Sequence, residues 1–283
     1  MCIIGVLFNG GISVTYQQRK KLVRSFLGKT VTVKIDRPIG YVHKKGKYTV
    51  KYKVNYGYIP DVSGGDGEEL DAYVVGVKEP LDVFSGKVIA IVNRENDCED
   101  KLVVAPEGVT MNQAQIAQKI HFQEKFFKST VDAVYQKSCG AVIYRNVKGE
   151  NEYLVLQQKR SHTWSLPKGH IEAFESERQT AMREVKEEAG YKVNLARGFR
   201  HELKYTIAGT VSKTVVLYLA KVRGEPILQK SEISSYKWAC AKEAKELLFS
   251  NYHPIIDAAE EYIAEHSYYK NPHKRSAAKP SDN

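Results

Sequence analysis

The most constraining feature of this sequence is a segment that predicts one well-delimited helix, from Ser176 to Gly190. Ser176 with Gln179 three residues later forms a capping box, which satisfies backbone N–H groups at a helix start. Gly190 suits the end of the helix, because glycine readily adopts the left-handed conformation of a C-terminal cap. The apolar stripe that this helix would bury consists of Ala181, Val185 and Ala189, widened by Met182.

Three glutamates share another face of the same helix. Glu184, Glu187 and Glu188 are spaced i, i+3 and i+4, so their carboxylates lie side by side and repel one another. A solvated surface is the ordinary explanation of such a group. Bound cations are the alternative, because Mg²⁺ takes oxygen ligands and commonly bridges carboxylates to substrate phosphates.

The wider spacing decides between these explanations. Gly169 is followed after five residues by Glu175, and after seven more by the run Arg183–Tyr191. This pattern resembles the signature of the Nudix hydrolases at every fixed position. The resemblance covers residues 134–268 and implies an α/β/α sandwich whose signature forms a loop, a helix and a loop. It also implies an enzyme that hydrolyses a phosphoanhydride in a nucleotide-like substrate, with Mg²⁺, or alternatively Mn²⁺, as cofactor.

The resemblance implies roles for the residues of the signature. The implied metal ligands, which are also the catalytic carboxylates, are Glu184, Glu187 and Glu188, joined by the backbone carbonyl of Gly169. Glu175 and Arg183 are implied to be structural, as a pair that ties the loop to the helix. An arginine among acids offers a second interpretation, in which it binds phosphate.

Three segments outside the signature bear on the substrate. In order along the chain, residues 164–170, 213–220 and 231–238 resemble segments of the asymmetrical diadenosine tetraphosphate (Ap4A) hydrolases. RNA 5′-pyrophosphohydrolases and several nucleoside triphosphate pyrophosphatases share parts of them. The substrate hypothesis is therefore a dinucleoside tetraphosphate, split into ATP and AMP. The alternatives are a nucleoside triphosphate or RNA 5′-end pyrophosphohydrolase and, outside enzymes, a nucleotide-binding sensor.

Four residues of these segments are the candidate substrate contacts. Lys168 and Lys213 are suited to hold phosphates as point charges. By resemblance, Tyr218 would stack on adenine, whereas the alternative is an ordinary half-buried strand aromatic. Glu232 corresponds to a glutamate that related enzymes use as the general base, and a surface glutamate is the alternative.

The first half of the chain predicts a different domain. Short strand-like runs separated by Gly, Pro and Asp indicate a small OB-type β-barrel, followed by a helix over Asn112–Lys128. The four runs are 31–35, 48–54, 71–77 and 86–92. We place the domains at 1–130 and 131–270, with a disordered basic tail at 271–283.

This first domain resembles the family I soluble inorganic pyrophosphatases over residues 28–128, through Asn55–Pro60 and Asp66–Asp71. The implied metal ligands are Asp66, Glu68 and Asp71. The implied phosphate-side residues are Tyr52, Tyr56 and Lys101. A second acidic stretch is implied at Asp97, Glu99 and Asp100.

The resemblance has departures that bear on activity. Lys34 stands where the family has a glutamate, His43–Lys47 replaces basic and acidic residues, and Phe126 and Phe127 replace a tyrosine–lysine pair. We therefore interpret the domain as a degenerate relative that binds or serves as a scaffold. An active pyrophosphatase is the alternative, and it would pair with a Nudix reaction that releases pyrophosphate.

The second half continues with strand-like and helical runs. Strands are predicted at 140–144, 152–157, 202–206, 214–222 and 236–238, and helices at 241–248 and 253–265.

Composition sets the remaining expectations. A net charge of +10 and a pI near 9.2 suit an anionic partner such as a nucleotide or an RNA 5′ end. The four cysteines lack metal-ligand or redox spacing, so we expect a reducing cytoplasm. No run predicts a signal peptide or a membrane segment. Cys2 is expected to be incidental rather than an N-terminal nucleophile, and residues 1–18 are weakly patterned. The oligomeric state is left open.

Overall fold

The computed structural model describes residues 16–46 and 48–268. The expectations for Cys2 and for the tail at 271–283 lie outside these residues. The chain divides into two compact units. The first contains the chain up to Gln136 together with Glu172–Phe174 and Thr206–Lys213. The second contains Lys137–Ile171, Glu175–Tyr205 and the chain from Thr214 onwards.

The first half of the chain is mostly strand, with one helix at each end. Its elements are α1 (Tyr16–Ser25), β1 (Thr30–Arg37), β2 (Val42–Lys45), β3 (Tyr48–Lys51), β4 (Asn55–Ser63), β5 (Glu69–Val74), β6 (Val83–Arg94), β7 (Lys101–Ala105), α2 (Gln113–Glu124) and β8 (Ser129–Ala133).

Five of these strands close into the predicted barrel. Their order is β1-β4-β5-β7-β6, and pairing of β1 with β6 completes the ring, while β8 extends the sheet from β6. All pairs are antiparallel except β5 with β7. Ile116 and Ile120 of α2 are fully buried against barrel residues that include Tyr73 and Val103. The domain thus has its own apolar core, as an independent unit requires.

Several elements of this half escaped prediction. Tyr16–Ser25 is helical although residues 1–18 were expected to be weakly ordered, and β8 occupies the predicted boundary region. β4 contains Gly57 and Pro60, which normally interrupt strands. Gly57 is needed there, because a Cβ would lie 1.9 Å from the backbone oxygen of Lys34 on the paired strand. Close strand approach, not a turn, explains this glycine.

The second half contains the remaining strands and three helices. Its elements are β9 (Tyr135–Val147), β10 (Glu150–Gln158), β11 (Trp164–Ser165), β12 (Lys168–His170), α3 (Glu177–Ala189), β13 (His201–Ile207), β14 (Val211–Lys221), β15 (Ile233–Ala239), α4 (Ala241–Leu247), a 3₁₀ turn (Ser250–Tyr252) and α5 (His253–Tyr268).

These elements form the predicted α/β/α sandwich. The sheet has the order β11-β10-β9-β14-β13, with β12 paired to β9 and β15 paired to β10. Ile256 and Ala259 of α5 pack with Val142 and Leu217 of the sheet in one core. Ala181, Val185 and Ala189, the predicted stripe of α3, are fully buried. Packing of this stripe leaves Glu184, Glu187 and Glu188 at its border.

None of the described helices is both long enough and apolar enough to span a bilayer.

Candidate active site

Helix α3 begins and ends as its sequence predicts. Both reciprocal hydrogen bonds of the capping box between Ser176 and Gln179 are present. Gly190 has a φ of 76°, in the left-handed region, and its N–H donates to the carbonyl of Lys186. The helix is therefore fixed at both ends by local hydrogen bonds, which defines where the carboxylates between them project.

The three carboxylates that were predicted to bind metal differ in burial. Glu184 and Glu188 are 9% and 4% exposed, whereas the side chain of Glu187 is 48% exposed. Buried carboxylates are rare unless they are paired or bind a metal. The gradation from buried to exposed is unlike a plain solvated surface, and it describes a cluster that opens to solvent on one side.

The loop before α3 lies directly against this cluster. A Cβ placed on Gly169 would lie 2.2 Å from the carboxylate of Glu184, so only glycine permits this approach. The backbone N–H of Lys168 donates to Glu188 Oε2 at 3.1 Å. Strand β12 is held in register with β9, where Gly169 pairs with Cys139. The backbone at Lys168 and Gly169 therefore lies directly against the carboxylates of Glu184 and Glu188.

Arg183 joins the loop to the helix. It donates to both carboxylate oxygens of Glu175, at 2.7 and 3.0 Å, and to the carbonyl of His170 at 2.9 Å. Its Nη1 also contacts Glu184 at 2.6 Å and Glu187 at 3.0 Å. One guanidinium therefore serves both the structural pair and two members of the acidic cluster, which lowers the repulsion within it.

Burial makes this cluster electrostatically unfavourable without a cation. Desolvation raises the pKa of Glu188 to about 7, although the nearby charge of Lys168 opposes this. Desolvation also raises the pKa of Glu184, with further increases from the charges of Glu187 and Glu232, while Arg183 opposes them. A divalent cation would relieve these penalties, because it stabilises the ionised carboxylates.

The side chains are not already gathered around a metal-sized position. Within residues 16–46 and 48–268, no group of three or more His, Cys, Asp or Glu side chains has that arrangement. The contacts of Arg183 with Glu184 and Glu187 give the reason, because its guanidinium holds both carboxylates. The oxygen donors nevertheless match the preference of Mg²⁺.

The candidate substrate residues occupy different environments. Glu232 is exposed and close enough to Glu184 for its charge to act on that carboxyl group. Lys213 is 7% exposed and contacts Gln136 at 3.4 Å. Tyr218 is 4% exposed; its hydroxyl donates to Glu177, and the guanidinium of Arg178 lies 5.2 Å from its ring centre. A base stacked on Tyr218 would therefore have to displace Arg178.

Two contacts to this region were missed. Gln158 of β10, whose side-chain amide donates to Ser165 at 3.0 Å, also acts to lower the pKa of Glu188, and Thr180 donates to Glu175 at 2.7 Å. Thr180 is only five residues after Glu175, so the spacing offered a signal. Gln158 is far away in sequence and offered none.

In the barrel, a lysine lies among the expected metal ligands. Lys101 Nζ contacts Asp71 Oδ2 at 2.5 Å and also ion-pairs with Glu99. The hydroxyl of Tyr56 donates to the same oxygen of Asp71 at 2.5 Å. Lys101, which was expected on the substrate side, instead supplies the positive charge for two acids. Tyr52 accepts a hydrogen bond from Arg37 at 2.8 Å.

The other barrel acids also have partners within the chain. Asp97 pairs with Arg94 at 2.8 Å, and Asp100 pairs with Lys20 of α1 at 2.6 Å. Asp66 accepts from the backbone N–H of Glu68 at 3.0 Å, as in a turn. Five of the six expected acids are thus divided among three internal cations and a turn, whereas the side chain of Glu68 is exposed.

Arg94 also organises the region where Phe126 and Phe127 replace the tyrosine–lysine pair of the pyrophosphatases that the domain resembles. Its guanidinium lies 3.6 Å from the ring centre of Phe127 and contacts the buried Glu124 at 2.6 Å. Glu124 in turn accepts from the hydroxyl of Tyr73. Lys34, at the position of the missing glutamate, has its Nζ 5.9 Å from the ring centre of Tyr58.

Comparisons with known proteins match the two halves of the chain to different families. Residues 134–259 match the NUDIX domain model, and residues 28–149 match the inorganic pyrophosphatase model. Over 140 residues the chain is 34% identical to the asymmetrical bis(5′-nucleosyl)-tetraphosphatase of Sus scrofa, covering 45% of this chain and 95% of that protein. It is 36% identical over 113 residues to the Caenorhabditis elegans enzyme of the same name, covering 38% and 81%.

Among solved structures, the C. elegans Ap4A hydrolase in a binary complex is 30% identical, with a TM-score of 0.44, and the match covers 46% of this chain and 98% of that one. Because the pig relative is matched over nearly its whole length, the likeness extends well beyond the signature. It includes the helix, the loop at Gly169 and the strands that hold them. The sensor alternative is therefore not retained. The chain belongs to the Nudix hydrolases, enzymes that act on phosphoanhydrides, and it is related to those that hydrolyse nucleoside polyphosphates.

Proposed function

We propose that the Nudix half hydrolyses a dinucleoside tetraphosphate such as Ap4A to ATP and AMP, with Mg²⁺ as cofactor. The observation that carries this proposal is the pair of buried carboxylates, Glu184 and Glu188, held against the backbone at Gly169. The identity to asymmetrical tetraphosphatases over most of their length supports the choice of substrate.

The proposed metal ligands are Glu184, Glu187, Glu188 and the carbonyl of Gly169. Their oxygens suit Mg²⁺, and Mn²⁺ accepts the same donors. Bound there, a metal would increase the acidity of water and stabilise charge that develops on the phosphates. Arg183 would release Glu184 and Glu187 while keeping its two hydrogen bonds to Glu175.

Glu232 is the proposed general base. It is exposed, so water can reach it, and its charge is felt at Glu184. It would accept a proton from the attacking water. The water oxygen forms a bond to an end phosphorus, the bond from that phosphorus to the bridging oxygen breaks, and ATP leaves as the oxyanion. The new oxygen then resides in AMP.

Two lysines and one tyrosine are the proposed substrate contacts. Lys168 lies beside the cluster, where its charge acts on Glu188 and Glu184, so it is suited to a phosphate near the metal. Lys213 and Tyr218 lie on β14. For these two residues to contact the substrate, nearby side chains would have to move when the substrate binds, because Lys213 is buried and Arg178 covers Tyr218.

The test is to incubate the full-length protein with Ap4A and Mg²⁺ in H₂¹⁸O and to identify the products by mass spectrometry. We expect ATP and AMP in equal amounts, with the label in AMP. Label in ATP would contradict attack at the end phosphorus, and two molecules of ADP would contradict asymmetric cleavage. No nucleotide release would eliminate this substrate class.

A second candidate is a nucleoside triphosphate or RNA 5′-end pyrophosphohydrolase coupled to pyrophosphatase activity of the barrel. The match to the inorganic pyrophosphatase model favours it. The ion pairs of Lys101 with Asp71 and Glu99 favour a binding or scaffolding barrel instead. Release of pyrophosphate from a triphosphate, followed by its conversion to phosphate, would establish the second candidate.

A further inference from the structure

Glu177 is the most heavily contacted carboxylate of α3, although the Nudix signature leaves its position unconstrained. It is the first residue of the helix. Arg200 donates to both of its oxygens, at 2.8 and 2.9 Å, and the hydroxyl of Tyr218 donates at 3.1 Å. Lys137 completes the group through an ion pair. We call these four residues the Glu177 cluster.

The cluster joins the start of α3 to three separate parts of the sheet. Lys137 belongs to β9, Tyr218 belongs to β14, and Arg200 directly precedes β13. A bidentate arginine restricts both the distance and the orientation of the carboxylate it binds. The side chains of Glu177 and Lys137 are 23% and 19% exposed, whereas that of Arg200 is 42% exposed, so the contact with Lys137 is the more sheltered from water.

Lys137 also connects the cluster with the loop that holds Gly169. Its carbonyl accepts from the N–H of Ile171 at 3.2 Å. The next residues of β9 pair with β12, so that Ser138 faces His170 and Cys139 faces Gly169. The strand that contacts Glu177 is therefore the strand that positions the carbonyl proposed as a metal ligand.

Glu177 lies on the same face of α3 as Glu184 and Glu188, two of the proposed metal ligands. Glu184 follows it by about two turns, or about 10 Å along the axis, and Glu188 follows about one turn later. A helix held at its first turn by three strands cannot slide or rotate freely against them. Metal ligands need to be held within about 0.5 Å of a productive geometry, so this restraint bears on the site.

We propose that Glu177 is a positioning residue, which sets the placement of α3 relative to β9 and thereby the fit between its carboxylates and the Gly169 carbonyl. The inference rests on the metal ligands proposed above. The pKa of Glu177 is lowered to about 2, first by hydrogen bonds from Arg200 and also by Lys137. The carboxylate is therefore ionised whenever the enzyme works near neutral pH.

The test compares Glu177→Gln with Glu202→Gln in the full-length protein. Glu202 also pairs with Arg200, at 2.6 Å, but it lies on β13 rather than on α3, and its other ion pair is with Lys204. Mn²⁺ affinity is measured by electron paramagnetic resonance at a temperature where circular dichroism shows each protein folded. The part of the Mn²⁺ binding that is lost in the Glu188→Gln variant is assigned to the Nudix site.

We expect Glu177→Gln to weaken Mn²⁺ binding at this site about tenfold or more, as for other residues that orient metal ligands. Glu202→Gln should bind Mn²⁺ like the wild type. The kcat for nucleotide hydrolysis should fall with Glu177→Gln, while KM changes little. A variant that unfolds at lower temperature but keeps wild-type Mn²⁺ affinity and kcat would show a purely structural role and overturn the proposal.

The Mn²⁺ affinity tests the positioning role of Glu177 independently of whether Ap4A is the substrate. If Ap4A is not hydrolysed but Glu177→Gln still weakens Mn²⁺ binding, the substrate proposal fails and the positioning role stands. If Ap4A is hydrolysed and Mn²⁺ affinity is unchanged in the variant, the positioning role fails alone.

Discussion

Both halves of this protein place a cation between two carboxylates, but the two cations differ in their access to water. In the barrel, the side chains of Lys101 and Glu99 are each 4% exposed. In the Nudix half, Arg183 is 23% exposed and Glu187 is 48% exposed. A buried pair leaves an uncompensated charge when one partner is removed, whereas an exposed pair contributes little and can exchange.

The difference shows how similar groups of residues serve different purposes. The barrel has an internal cation in a position where its relatives are expected to bind metal. The Nudix half has an arginine that remains bound to Glu175 while its contact with Glu187 is open to solvent. We interpret the first as a fixed structural pair and the second as an exchangeable one. Three predictions test this contrast.

The largest effect is expected from Lys101→Met. Removing this ammonium leaves Asp71 and Glu99 facing each other without a counter-charge. The free energy of unfolding, measured by urea denaturation in the presence of a chelator, should fall by about 3–5 kcal/mol. Mg²⁺ should restore more stability to the variant than it adds to the wild type, because a cation can now enter.

Arg24→Met is the matched control, since it removes an exposed ion pair with Asp132. Its stability should change by no more than about 1 kcal/mol. A Lys101→Met protein as stable as the wild type would show that the buried pair is not structural. Equal responses of variant and wild type to Mg²⁺ would show that Lys101 does not occupy a metal position.

The next effect concerns the Nudix side of the contrast. Glu187→Gln removes one proposed metal ligand from the exposed edge of the cluster, so kcat should fall about 100-fold or more while the protein stays folded. The kcat is measured from the turnover of a nucleotide substrate with Mg²⁺, and thermal unfolding checks that the variant is folded. Glu261→Gln, on the exposed side of α5, should retain wild-type turnover. Unchanged activity of Glu187→Gln would remove its metal role.

The smallest effect is expected in the pH dependence of protein stability, and it arises from Glu177 in the Nudix half. Arg200 and Lys137 lower the pKa of Glu177 from 4.5 to about 2 in the folded state. Because the folded pKa lies below the unfolded one, the stabilisation is complete above about pH 4.5 and is lost as the pH falls towards 2.

Urea denaturation at several pH values between about 5 and 2 tests this prediction. The stability advantage of the wild type over Glu177→Gln should shrink as the pH falls. A difference that is constant over this range would show that the ionised carboxylate contributes nothing through its charge.

The sequence predicted best what depends on local spacing. Ser176, Gln179 and Gly190 defined α3 to within one residue at each end, and the apolar stripe between them is buried as expected. The barrel was also predicted as a class, because its strands alternate and are separated by turn residues.

Partnerships between distant residues were not predictable in the same way. Nothing near Lys101 in the sequence indicates that it lies beside Asp71, and nothing near Arg94 indicates Glu124. Tyr218 was expected at the substrate on resemblance, but its burial and its contact with Glu177 depend on the packing of α3 against β14. β4 was missed because Gly57 serves close packing rather than a turn.

Because Lys101 provides the positive charge between two acids, the barrel does not have to obtain that charge by binding an ion. A bound ion has to be acquired from the surroundings and can be taken away again by a chelator, whereas a lysine is present as soon as the chain is synthesised. The acids Asp71 and Glu99 therefore share a positive counter-charge even during metal starvation. On this view the barrel does not need magnesium as the counter-charge of these two acids, whereas the metal ligands proposed in the other half of the chain would need it.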